Sequence, residues 1–160
     1  MGDAIKLILI AALLLFLGGQ LDAQSASVNA ITVEHPWARA TPKGATTGAA
    51  YMTVTNSGTS ADRLVGATTP LANKIQFHTE TEDNGVSRMR QVDTIDLPPG
   101  AKILFKPGNM HVMIVGLKQP LTQGQTFSLI LMFEKAGSID VTVPVEGIGA
   151  MRHDDMGSMK

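Results

Sequence analysis

Between residues 26 and 146 the chain is cut at short intervals by turn sequences, and this punctuation limits the fold more than any other feature. Pro42-Lys43-Gly44, Asn56-Ser57-Gly58, Asp83-Asn84-Gly85, Pro98-Pro99-Gly100, Pro107-Gly108-Asn109 and Gln123-Gly124 each interrupt the chain. Gly, Pro and Asn supply backbone angles that regular elements do not use. The intervening segments are short and rich in β-branched or alternating apolar residues: 31–34, 48–55, 62–67, 74–79, 87–92, 102–105, 110–115, 126–133 and 138–144. None carries a convincing helical period. Short strands divided by tight turns predict an all-β fold, a sandwich or barrel. A length of 160 residues suits a single domain.

The two ends read differently. Residues 1–25 have the form of a secretory signal. Lys6 gives a weak positive start, offset by Asp3, and 7–17 is an unbroken apolar run followed by small residues. That run has the length of a signal h-region and is too short to cross a bilayer. Cleavage is expected after Ala23 or Ser25. An uncleaved amphipathic or buried helix is the plainer alternative. The expected product is periplasmic, with no membrane span in its mature form. The chain has no cysteine, hence no thiol for a lipid anchor, and the mature product is expected to be soluble. The β domain is expected over 26–146 and a flexible tail over 147–160.

Charge and cysteine usage exclude several functions. Net charge is -1 at pH 7, with no basic stripe, so nucleic acid is not an expected partner. A blue-copper electron carrier needs a thiolate, which this chain cannot supply. An exported metal site without thiolate also avoids oxidation to a disulfide, although methionine can still become a sulfoxide.

The stretch 78–113 concentrates metal donors. His78 is followed after ten residues by Met89, after twenty-one more by His111, and after one more by Met113. Imidazole and thioether both bind metals, and the soft thioether favours Cu(I) over Zn, Mg or Ca. In Ile75-Gln76-Phe77-His78 the apolar residues alternate with polar ones, so His78 points away from the apolar face. His111 and Met113 share a face of their strand, about 6.5–7 Å apart, a gap that a flexible Met can close. Met89 stands between Arg88 and Arg90, an odd setting for a core methionine. Asn84-Gly85 is a hairpin signal that would set His78 and Met89 side by side at one level. Pro107-Gly108-Asn109 would place His111 at a rim where strands meet loops.

Each residue also has a plain reading. A single surface His is usually only solvated, and a single Met usually fills a core. Met52 and Met132 fit that reading, and so does Met110, on the face opposite to His111. His35, before Pro36, reads as a strand-end or turn residue. What the plain readings leave unexplained is the four-residue set at its spacing.

That spacing resembles the signature of the PCuAC family of periplasmic copper chaperones. Further blocks carry the resemblance: His35-Pro36-Trp37-Ala38-Arg39-Ala40-Thr41-Pro42, Gly48-Ala49-Ala50-Tyr51-Met52 up to Asn56, Asp62-Arg63-Leu64-Val65-Gly66, Met110-His111-Val112-Met113-Ile114-Val115-Gly116-Leu117 and Phe133-Glu134-Lys135-Ala136-Gly137. Together they span about residues 30–146. Gln76 departs from the pattern, since family members tend to place an acidic residue before the first His. The resemblance implies a cupredoxin-like Greek-key β-barrel. It also implies delivery of copper to the dinuclear copper centre of cytochrome c oxidase, with an oxidase subunit or a Sco-type thiol protein as acceptor.

Three functions follow for comparison. The first is a Cu(I)-binding chaperone with His78, Met89, His111 and Met113 as ligands. The second is an exported structural or adhesive β-sandwich, which accounts for the strands and not for the donor spacing. The third is a copper enzyme, for which no acid–base pair or activated nucleophile stands near the motif. The tail holds Met151, His153, Met156 and Met159 with Asp154 and Asp155. It reads equally as a frayed terminus or as a metal-binding tract, one that captures a second copper, as Cu(II), or passes Cu(I) towards the main site.

Overall fold

The computed structural model describes residues 25–151. The expected signal segment, apart from Ser25, lies outside the described residues, as do the tail residues His153, Met156 and Met159.

The described residues are all-β. The strands are β1 (Ser25–Val28), β2 (Ile31–Arg39), β3 (Thr47–Asn56), β4 (Asp62–Thr68), β5 (Ala72–Asp83), β6 (Val86–Val92), β7 (Ile95–Leu97), β8 (Lys102–Phe105), β9 (His111–Leu117), β10 (Thr126–Phe133) and β11 (Gly137–Glu146). They pair in the order β6-β5-β9-β3-β2-β11-β10-β4-β7, with β1 added to β2 and β8 added to β3. The path is open, ending at β6 and β7. Neighbours are antiparallel except β2 and β11, which meet in parallel through Val145–Ala38 and Glu146–Arg39.

Alternation builds the core. Phe127, Leu129, Leu131 and Phe133 of β10 face inward with Ile139, Val141, Val143 and Val145 of β11. Ala50, Met52 and Val54 of β3 and Val112 and Ile114 of β9 meet them. Period-two spacing turns every second residue to one face. Each large apolar side chain taken from water contributes about 1.5–3 kcal/mol.

Three features differ from the sequence reading. Strand β1 is not expected from the sequence, because Ser-Ala-Ser-Val is only four residues with a single β-branched side chain; its pairing with β2 makes it a strand. Strand β7 is three residues long, too short for a periodic signal. Most consequential, His35 neither ends a strand nor sits in a turn. It lies inside β2 with φ 52°, at a register shift between Glu34 and Trp37. Glu34 pairs with Thr53 and Trp37 with Tyr51, so β2 carries one extra residue there. The proline beside it is tolerated because a bulge releases a ladder hydrogen bond. One extra residue exchanges the faces. Ile31 and Val33 point into the core before the bulge, Ala38 after it. Trp37 and Arg39 are thereby turned to the opposite face.

Candidate metal centre

That opposite face carries the donors. Strands β5 and β9 pair with His78 directly across from His111, and Gln76 across from Met113. On β3, Ala49 is across from Met113, where its short side chain leaves room for the thioether. Hairpin β5–β6 closes through Asn84 (φ 52°) and Gly85 (φ 78°), the two left-handed residues that a two-residue hairpin turn requires. Its register sets Glu80 across from Met89 and His78 across from Gln91. Met89 is therefore on the same face as His78 but one diagonal step nearer the hairpin tip. The expectation of equal level is corrected by this register. A diagonal neighbour at about 7–8 Å between Cα atoms remains within reach of a long side chain.

The two imidazoles meet. Their ring centroids are 5.6 Å apart, tilted by 50°. A metal–imidazole bond of about 2 Å puts each centroid about 3 Å from the ion, so two rings on one ion stand up to about 6 Å apart. The observed separation allows both to bind one ion. His111 is 5% exposed, and its Nδ1 lies 3.1 Å from the carbonyl oxygen of Asn109. That contact selects the tautomer in which Nδ1–H donates and Nε2 keeps its lone pair. The same carbonyl accepts the Glu80 N–H at 3.2 Å, tying β5 to the ring. The rim expected from the turn at residues 107–109 is thus half sunk: His111 opens β9 but is buried.

His78 has no such partner. Both of its ring nitrogens are buried without a hydrogen bond. Buried polar atoms are nearly always satisfied, and an exception marks a functional site or a missing ion. Burial, with the neighbouring His111 adding to it, holds His78 below the ordinary imidazole range. The neutral form, the one that can ligate, is favoured. Met113 is half-buried, whereas Met89 is 54% exposed. Among the described residues no three His, Cys, Asp or Glu side chains form a metal-holding group; the Met89 and Met113 thioethers are the further soft donors on this face. Met52 is in the core, and Met110 packs against it.

Behind the donors stands a group to which the sequence reading gave no role. Ala50 is the partner of Val112, so the next step places Tyr51 beside His111. Tyr51 stacks on Trp37 with centroids 4.5 Å apart. Both are buried, at 5% and 3% exposure, on the face away from the core. The Arg39 guanidinium lies 6.0 Å from the Trp37 ring centroid and 5.9 Å from that of Tyr51, within cation–π range. Arg39 also donates to the Ala150 carbonyl at 3.0 Å. Burial raises the Tyr51 hydroxyl above the ordinary tyrosine range, with Arg39 opposing and Glu80 reinforcing the shift. The one local hint is Pro36, a residue that strands admit at edges, first positions and bulges alike, which does not by itself separate a bulge from a strand end.

Residues 31–145 match the family model described as putative lipoprotein LpqE-like. The chain belongs to the LpqE-like family. A putative lipoprotein, Lxx21020, of Leifsonia xyli subsp. xyli (strain CTCB07) is 34% identical to this chain over 117 residues, covering 72% of this chain and 69% of the relative. Among solved structures, the copper-bound PCuAC domain from PmoF2 superposes with a TM-score of 0.67 at 33% identity, over 77% of this chain and 97% of that one. The Cu(I) solution structure of DR1885 from Deinococcus radiodurans gives 0.60 at 30% identity, over 81% and 85%. The chain is thus a PCuAC-type domain with the cupredoxin-like fold. Its PCuAC likeness extends across the fold and well beyond four donor residues.

Proposed function

We propose that this protein is an exported Cu(I) chaperone that holds the ion between His78, Met89, His111 and Met113 and passes it to an acceptor. Copper binding is supported by relatives of the same fold solved with copper bound. The observation that carries the ligand assignment is the His78 ring: two buried nitrogens without a partner, next to a His111 ring fixed with Nε2 free. Two imidazoles and two thioethers are neutral, so Cu(I) keeps its single positive charge and prefers the soft sulfur donors. Capture and release is the function, without turnover: four donors leave no open position for a substrate. A purely structural sandwich gives the unpaired His78 nitrogens no role. Export fits the lipoprotein names of the family and of its Leifsonia relative. The acceptor we propose is the dinuclear copper centre of an oxidase, reached directly or through a Sco-type protein. The tail donors His153, Met156 and Met159 are proposed as a separate capture point for Cu(II).

The test is anaerobic Cu(I) titration with X-ray absorption. The wild type should bind one Cu(I) tightly through two nitrogens and two sulfurs. The double variant Met89→Leu/Met113→Leu should lose both sulfur scatterers and at least about tenfold in affinity, about 1.4 kcal/mol. Equal binding by wild type and variant would sink the assignment.

A further inference from the structure

On the metal face the β5–β6 ribbon carries three parallel diagonals. The register pairs His78 with Gln91, Glu80 with Met89 and Glu82 with Ser87. Gln76 donates through Nε2 to Gln91 Oε1 at 2.5 Å, leaning one step towards the tip. His78 and Met89 are related by the same step. The Ser87 hydroxyl donates to Glu80 Oε1, again by the same step. A metal bridge between His78 and Met89 would therefore lie between two polar clasps of the same slant.

Glu80 has a dangerous position for a soft-metal site. It is the direct partner of Met89 and shares the face of His78 two residues away. Its charge also reaches the Tyr51 hydroxyl. A carboxylate is a hard donor, and two His with one carboxylate make a set suited to Zn²⁺ or Cu(II). What keeps the Glu80 carboxylate turned to the hairpin tip is the Ser87 hydroxyl. Met89 is 54% exposed and is not among the side chains packed against the core, so little fixes it in the space that Glu80 would take.

We propose that Ser87 and Glu80 form a specificity-determining clasp: Ser87 holds the carboxylate away from the His78–His111 pair, so the cage stays imidazole and thioether and discriminates against Zn²⁺. This rests on the ligand assignment proposed above. Neither residue ligates the ion; both are positioning residues.

The test compares wild type, Ser87→Ala and Ser87→Ala/Glu80→Gln by Zn²⁺ titration calorimetry and by zinc X-ray absorption. All three carry the same tail, so differences report the clasp. Ser87→Ala should bind Zn²⁺ about tenfold or more tighter, the scale of outer-shell effects on metal sites, with a carboxylate oxygen entering the zinc shell. Adding Glu80→Gln should return affinity and spectrum to wild type. Unchanged Zn²⁺ binding in Ser87→Ala overturns the inference, as does tightening that survives Glu80→Gln. A wild type that takes up no Cu(I) overturns both readings together. A wild type with the two-nitrogen, two-sulfur Cu(I) shell and an inert Ser87→Ala overturns the clasp alone.

Discussion

His78 sits in the folded protein with a pKa below the ordinary value of 6.5, chiefly through burial. The sign of the linkage follows. As pH falls from 6.5 to the folded value, the unfolded chain takes up a proton that the folded chain refuses, so apo-protein stability declines across that window and is complete above it. Denaturant melts of the apo protein should show this slope, and His78→Leu should flatten it. The depressed value also sets the pH response of binding. Cu(I) affinity should hold level from neutral pH to about 6.5 and weaken below, because the proton and the metal compete for one lone pair. An affinity that ignored acid would remove histidine from the ligand set.

At the scale of elements, the β5–β6 hairpin decides where Met89 stands. Gly85 adopts φ 78° with nothing within 4 Å of where a Cβ would be, so a substitution there is penalised by backbone conformation alone. Gly85→Val should cost about 1–2 kcal/mol of local stability. Amide exchange at Arg88 and Arg90 should quicken and Cu(I) affinity should fall, while the circular-dichroism signature of the sandwich persists. Much of this was legible in the sequence. The Asn84-Gly85 turn, the polar face of His78 and the odd setting of Met89 were all readable, because turns and alternation are local. The His35 bulge was not, because a single register slip is settled by what lies across the strand. The Trp37–Tyr51 stack depends on that slip, so local sequence does not reveal it. The diagonal step between His78 and Met89 escaped for the same reason: a hairpin signal states that two strands meet, and only the register states who faces whom.

At the scale of the molecule, core and metal face are built from the same strands but on opposite sides. Leu129 has no exposed surface and stands on β10, away from the donors. Leu129→Ala should lower unfolding free energy by about 3–4 kcal/mol, read from the urea midpoint, and leave Cu(I) affinity unchanged at temperatures where the protein is folded. All-β architecture was readable from punctuation, but the strand order was not. Bringing β9 between β5 and β3, so that His78 meets His111, is a long-range pairing that local sequence does not encode.

Strand β6 ends the sheet path, and all but its last residue are exposed. Strands β5 and β9, which carry His78, His111 and Met113, are each flanked on both sides. The four donors are consequently unequal in rigidity: three are anchored in the fabric and Met89 hangs at its selvage. Under the ligand set proposed above, an incoming thiolate or thioether would meet Met89 before the others, which would give handover a first bond to break and a direction of approach.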